Sequence, residues 1–163
     1  MKQTRIAALK KVSGKLRRIL VGGDQVPKED SQMLRLLVVD GEESICFSME
    51  EYFTMYGYQV DTAQDLEEAE RLVETVTYDV VVQDLRLGPA QKPDGLELIK
   101  FIRGRNTRTR VIVLTAYGSP QMEKEAAQYG ADAFLRKPKP LSHVAQVIQG
   151  LIESPPKQAA HGA

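Results

Sequence analysis

Three short apolar runs in this chain each end in a residue able to do chemistry. Leu36-Leu37-Val38-Val39 ends in Asp40, Val80-Val81-Val82-Gln83 in Asp84, and Val111-Ile112-Val113-Leu114 in Thr115. A fourth candidate, Lys137, follows Ala131-Asp132-Ala133-Phe134-Leu135-Arg136. Runs this short and this rich in Val, Ile and Leu read as strands buried on both faces, as in a parallel sheet. Residues just past the carboxyl ends of such strands share one crevice. The pattern therefore gathers two carboxylates, a hydroxyl and an ammonium. Asp40 is followed by Gly41, where a second acid would make a better cation site.

A carboxylate can attack phosphorus and form an aspartyl phosphate. A nearby lysine keeps such a nucleophile ionised. The phosphoryl oxygens then need a divalent cation on one side and donors on the other. Mg²⁺ prefers oxygen ligands and keeps several waters, so one or two carboxylates suffice. Thr115 could donate its hydroxyl to one phosphoryl oxygen, and Lys137 could neutralise another.

The elements that must position these groups follow from the hydrophobic pattern. From Leu34 to Ile152 strand and helix alternate five times. Strands are expected at about 34–39, 58–62, 78–83, 110–114 and 132–136, and helices at about 43–56, 65–76, 95–104, 119–129 and 141–152. Each helix shows an apolar stripe, such as Ile45, Met49, Tyr52, Phe53 and Tyr56. Gly57 and Gly130 stand where a helix C-terminal cap needs positive φ. Five βα units with short connections imply right-handed crossovers and helices on both sheet faces. Strand order 2-1-3-4-5, one common solution, would set Asp40 beside Asp84.

At 163 residues the chain reads most simply as one domain with tails. Hydrophobic content is 42%, and no apolar stretch approaches membrane-spanning length. No apolar block of roughly 7–15 residues follows the N-terminal charges, so no secretory signal is read. Cys46 is the only cysteine, which excludes an internal disulfide and fits a reducing cytoplasm. Its expected role is a small buried hydrophobe. The formal net charge of zero hides an asymmetry. Residues 1–21 hold seven Lys and Arg and no acid, which leaves −7 on the remainder. That segment places Ile6, Leu9, Val12, Leu16, Ile19 and Leu20 at roughly helical spacing, with Gly14 weakening the pattern. It is a candidate basic amphipathic helix that could bind a partner protein, an anionic membrane, nucleic acid or the acidic domain itself. Without an aromatic residue it is a poor stacking platform for single strands. Residues 1–33 are thus read as extension and linker, 34–153 as the domain, and 154–163 as a disordered tail. Lys100, Arg103, Arg105, Arg108 and Arg110 form a basic run expected to be a solvated face.

From Leu34 to Ile152 the chain resembles a receiver domain of the two-component response regulator family. The residues carrying the resemblance are Val38-Val39-Asp40 with Glu42, Asp84 in Val82-Gln83-Asp84-Leu85-Arg86-Leu87, and Asp94-Gly95. Thr115-Ala116 and Lys137-Pro138 complete the set. The resemblance implies a flavodoxin-like doubly wound sheet, with Asp84 as phosphoacceptor, Lys137 as phosphate-binding lysine, and Thr115 and Phe134 as switch residues. It implies Mg²⁺ held by Asp40, Asp84 and the Arg86 carbonyl, with Glu42 as a further candidate, and a cis Lys137-Pro138 bond. A sensor histidine kinase or phosphotransfer protein would supply the phosphoryl group. A downstream protein would read it, and a homodimer is compatible. The expected protein is a stand-alone cytoplasmic receiver and not a turnover enzyme.

The chain departs from the family in two places. The family normally carries a pair of acids where this chain has Asp40-Gly41. Mg²⁺ binding is then expected to be weak or lost, and a pseudo-receiver acting as an interaction module is the rival reading. The loop from Leu87 to Gly95 is also about three residues longer than usual. It could offer Lys92 as a substitute cation or lie clear of the site. An aspartyl phosphatase is disfavoured because such enzymes usually place a second Asp two residues after the nucleophile, where this chain has Arg86. A dinucleotide-binding domain is disfavoured because no glycine-rich turn follows the first strand.

Overall fold

A computed structural model of the protein describes residues 32–88, 90 and 92–156. The basic segment 1–21, linker residues 22–31 and tail residues 157–163 lie outside the described residues. The elements alternate as β1 (Arg35–Val39), α1 (Glu43–Met55), β2 (Gln59–Ala63), α2 (Leu66–Thr75), β3 (Val80–Gln83), α3 (Asp94–Arg105), β4 (Arg110–Thr115), α4 (Pro120–Tyr129), β5 (Ala133–Arg136) and α5 (Leu141–Glu153). All strands pair in parallel, in the order β2-β1-β3-β4-β5. The expected fold is present, with boundaries displaced by one or two residues.

Side chains alternate across a strand, so each central strand feeds two cores. Leu37, Val39, Val81, Val111 and Val113 pack with α2, α3 and α4 through residues such as Ala69, Leu98, Ile102 and Ala126. Leu36, Val38, Val80, Val82 and Ile112 pack with α1 and α5 through Met49, Phe53, Val144 and Ile148. Each such aliphatic side chain taken fully out of water contributes about 1.5–3 kcal/mol. This two-sided burial fixes the ends of β1, β3 and β4.

Local chemistry sets where helices start and stop. The Ser119 hydroxyl accepts from Met122 N (3.2 Å), Pro120 opens α4, and Gly130 closes it at φ 110°. Asp65 accepts from Glu68 N (2.8 Å) while Glu68 accepts from Gln64 N (2.9 Å), so two amides at the head of α2 are satisfied reciprocally.

The basic run is a correction. Lys100, Arg105 and Arg108 are exposed, but Arg103 and Arg110 are not a solvated face. Both pair with Asp132, at 2.8 and 3.5 Å, with side chains only 19% and 6% exposed. Burial lowers the Arg103 pKa despite the attraction of Asp132. The physical reason is position: Arg110 begins a strand buried on both faces, so its side chain must find an acid inside.

Candidate phosphoacceptor site

Register assembles the site. Val39 lies opposite Gln83, Gln83 opposite Val113, and Thr115 opposite Arg136. Asp40, Asp84, Thr115 and Lys137 therefore meet at one edge of the sheet. Backbone bonds continue the ladder past the strand ends: Asp84 N donates to Val39 O (2.8 Å) and Lys137 N to Thr115 O (2.9 Å). Asp40, Asp84 and Thr115 are buried, 4%, 8% and 0% exposed.

The two oxygens of Asp84 are held differently. Oδ1 accepts from the Thr115 hydroxyl (2.7 Å), Leu85 N (2.6 Å) and Arg86 N (3.3 Å). Among the described residues Oδ2 accepts from the Lys137 ammonium alone (3.0 Å). The same ammonium donates to Asp40 Oδ2 at 2.6 Å, and Glu42 N donates to Asp40 Oδ1 at 2.9 Å. Burial alone would lower the Lys137 pKa. Hydrogen bonds and charge from Asp40 and Asp84 outweigh it, and the pKa is raised. The ammonium is therefore fully protonated at neutral pH. The Lys137-Pro138 bond is cis.

The other sequence candidates fall inside and outside this cluster. Phe134 is half-buried, with its ring against Gly118: a methyl placed there would lie 2.6 Å from Phe134 Cε1 and 3.5 Å from Thr115 Cγ2. The Glu42 side chain is exposed and makes no cap bond, so it stands apart from the two acids. Lys92 is exposed as well; its carbonyl accepts from Leu87 N (3.0 Å), and the cation facing the acids is Lys137. Lys92 thus does not take the place of a cation beside the pair.

The donors fit a hard cation, but sparsely. Asp40, Asp84 and Lys137 sum to −1, and no group of three or more His, Cys, Asp or Glu could hold a metal among the described residues. A methyl on Gly41 would make only ordinary contacts, 3.6 Å to Gly88 N and 3.9 Å to the Arg86 carbonyl. Space for a side chain facing that carbonyl therefore exists, and the sequence leaves it empty. Two carboxylates and a carbonyl, with water completing the shell, match what Mg²⁺ accepts.

Three contacts at the site escaped the sequence reading. The Arg86 guanidinium lies 4.7 Å over the Tyr117 ring, joining the loops after β3 and β4. Gly95 opens α3 so closely under the acceptor that a methyl there would lie 2.4 Å from Asp84 O. Cys46 donates its thiol to Asp40 O (3.3 Å). Only Gly95 carried a signal, a glycine just after the acid at a helix start.

Comparison with known proteins agrees with this geometry. The model of the response regulator receiver domain matches residues 36–149. The Escherichia coli regulatory protein AtoC is 30% identical over 119 residues, covering 73% of this chain and 25% of its own length. The chain spans 25% to 59% of the length of such curated relatives. A Burkholderia pseudomallei response regulator, solved with a phosphorylated aspartic acid, calcium ion and citrate, is 28% identical with a TM-score of 0.67, over 73% of this chain and 68% of that one. The beryllofluoride-activated NtrC4 receiver domain dimer is 35% identical with a TM-score of 0.66, over 73% and 96%. No helix among the described residues is long and apolar enough to cross a membrane. The strand-end acids, the hydroxyl and the lysine thus sit in a known frame: this chain belongs to the response regulator receiver domain family of two-component signalling.

Proposed function

We propose that this receiver accepts a phosphoryl group on Asp84 from a sensor histidine kinase or a phosphotransfer protein and signals through a protein–protein surface. The unequal solvation of the Asp84 carboxylate carries the reading. Oδ1 is committed to three donors, whereas Oδ2 faces one ammonium and keeps lone pairs for attack. An Oδ2–P bond forms as the P–N bond of a phosphohistidine donor breaks, and the electron pair leaves on the imidazole nitrogen. The Lys137 ammonium and the Thr115 hydroxyl can then turn from the carboxylate to the new phosphoryl oxygens. Movement of Thr115 relieves the packing around Gly118, where the Phe134 ring sits, and biases a two-state surface.

Asp40, Asp84 and the Arg86 carbonyl would hold Mg²⁺, which when bound neutralises charge on the phosphoryl oxygens. With Gly41 in place that affinity is poor. The chain acts as a cytoplasmic signalling domain and not as a turnover enzyme. The likeness to the NtrC4 dimer supports a homodimer as one form of it.

A pseudo-receiver working without phosphorylation has one observation in its favour: Lys137 already closes both acids, and position 41 offers no third. Incubation with a small-molecule phosphodonor and Mg²⁺, followed by intact mass, separates the two. A slowly growing phosphorylated species, absent in Asp84→Ala, is expected. No adduct in wild type and none in Gly41→Asp would favour the pseudo-receiver.

A further inference from the structure

At the end of the domain opposite Asp84, an open groove of about 280 Å³ lies between the C-terminal end of α1 and the middle turns of α5. Met33, Tyr56, Tyr58, Ala145 and Gln149 line it. Two of them show unusually exposed apolar surface, Met33 at 48% and Tyr56 at 56%, and Met55 beside them is 59% exposed. Isolated exposed side chains of this kind need no explanation, but a contiguous group around a groove does.

We propose that residues 1–21 of this same chain dock in this groove as an amphipathic helix. Three observations point to that occupant. First, the chain enters the described structure at Gln32, itself a lining residue, so the segment is delivered to the groove. Residues 22–31 span up to about 35 Å when extended, ample for the segment to fold back. Second, Ile6, Leu9, Val12, Leu16, Ile19 and Leu20 stand at the spacing of an amphipathic stripe, which an apolar groove would cover. Third, the charges match. The segment carries seven basic residues and no acid. α1 ends at the groove and points its negative dipole end there, with no basic residue in its last turn. Glu153 closes α5, hydrogen-bonded to the lining Gln149 (3.0 Å), and Glu50 and Glu51 are exposed along α1. This docking is independent of whether Asp84 is phosphorylated. It makes the basic segment a ligand of its own domain, which any anionic partner must displace.

The test uses the full chain and limiting trypsin, with cleavage after Lys10 and Lys11 followed by mass spectrometry. Cleavage of a docked segment tracks the population of its undocked form, so removing the contacts should speed it about tenfold. That acceleration is expected for Leu16→Ser/Leu20→Ser, which leaves the domain untouched, and for Ala145→Phe, which fills the groove. A thermal unfolding midpoint guards the second variant, and the segment variant decides alone if the groove variant is poorly folded. Equal cleavage rates in wild type and the Leu16→Ser/Leu20→Ser variant overturn the proposal. So does protection that grows with protein concentration alongside a sedimenting dimer, which assigns the groove to a second copy. Protection that arises only with phosphatidylserine vesicles overturns it in favour of a membrane.

Discussion

At the carboxyl edge of the sheet Asp40, Asp84 and Lys137 sum to −1; at the amino edge Arg103, Arg110 and Asp132 sum to +1. Both clusters are buried, both span elements distant in sequence, and both join acids to bases. They differ in what each polar atom has left to give. Asp132 is outnumbered by donors: Oδ1 takes Arg110, and Oδ2 takes Arg103 and Val111 N. The guanidiniums spend their remaining donors on the carbonyls of Thr109, Gly130 and Ser154. That cluster ties the ends of α3, α4 and α5 to β4 and β5, and nothing in it faces a ligand. At the other edge acceptors are in excess: Asp40 and Asp84 share the Lys137 ammonium. A cluster that closes on itself is structural, and one that stops short of closure can react.

The same substitution in both clusters breaks or sharpens this contrast. Asp132→Asn strips the paired anion from two guanidiniums, of which Arg110 is 6% exposed, and should cost about 3–5 kcal/mol. Asp84→Asn leaves Lys137 paired with Asp40 and keeps an acceptor for Thr115, so stability should change by less than about 1 kcal/mol. Chemical denaturation measures both. Equal losses would remove the distinction between the clusters.

Gly95→Ala comes next. Its methyl would meet Asp84 O and Leu85 Cα at 2.4 and 2.6 Å, so α3 must shift away from the acceptor loop. An overpacking loss of about 1–3 kcal/mol is expected, with slower phosphorylation of Asp84. Unchanged denaturation and phosphorylation would show that the close approach is not needed.

How legible this was depended on the kind of signal. The five βα units and the gathering of Asp40, Asp84, Thr115 and Lys137 could be read because strands buried on both faces leave continuous apolar runs with abrupt ends. Arg103 and Arg110 could not: on a one-dimensional pattern a basic run near a helix end looks solvated, and only the fold brings Asp132 to it. Glu42 failed as a candidate for a similar reason. Two residues past Asp40 its side chain is exposed, while its amide serves the site. Arg86 over Tyr117 joins two loops whose approach no local pattern encodes.

Gly41→Asp sharpens the contrast from the other side by opening the carboxyl cluster further. Space is present at position 41, and φ there lies outside the left-handed region. Without metal the variant should lose a little stability to like-charge repulsion, and Mg²⁺ should restore it. A Mg²⁺ titration should show tighter binding than in wild type, with faster phosphorylation. If wild type already matches the variant on both, Gly41 does not limit the site.

The smallest effect concerns Cys46. Burial, foremost, raises its thiol pKa, so at any pH below that value the folded protein presents less thiolate than a free cysteine. Reaction with a thiol reagent at neutral pH should be slow in the native chain, rise with pH, and become rapid on unfolding. Rapid labelling of the native chain would place the thiol, and with it the backbone of Asp40, in a looser setting.

The central claim is that Asp84 itself receives the phosphoryl group. Borohydride reduces an aspartyl phosphate to homoserine, and peptide mass spectrometry of the chain treated with phosphodonor and Mg²⁺ then locates it. Homoserine at position 84, absent when the donor is omitted, is the predicted result. Homoserine at Asp40 or elsewhere, with Asp84 intact, would contradict the account.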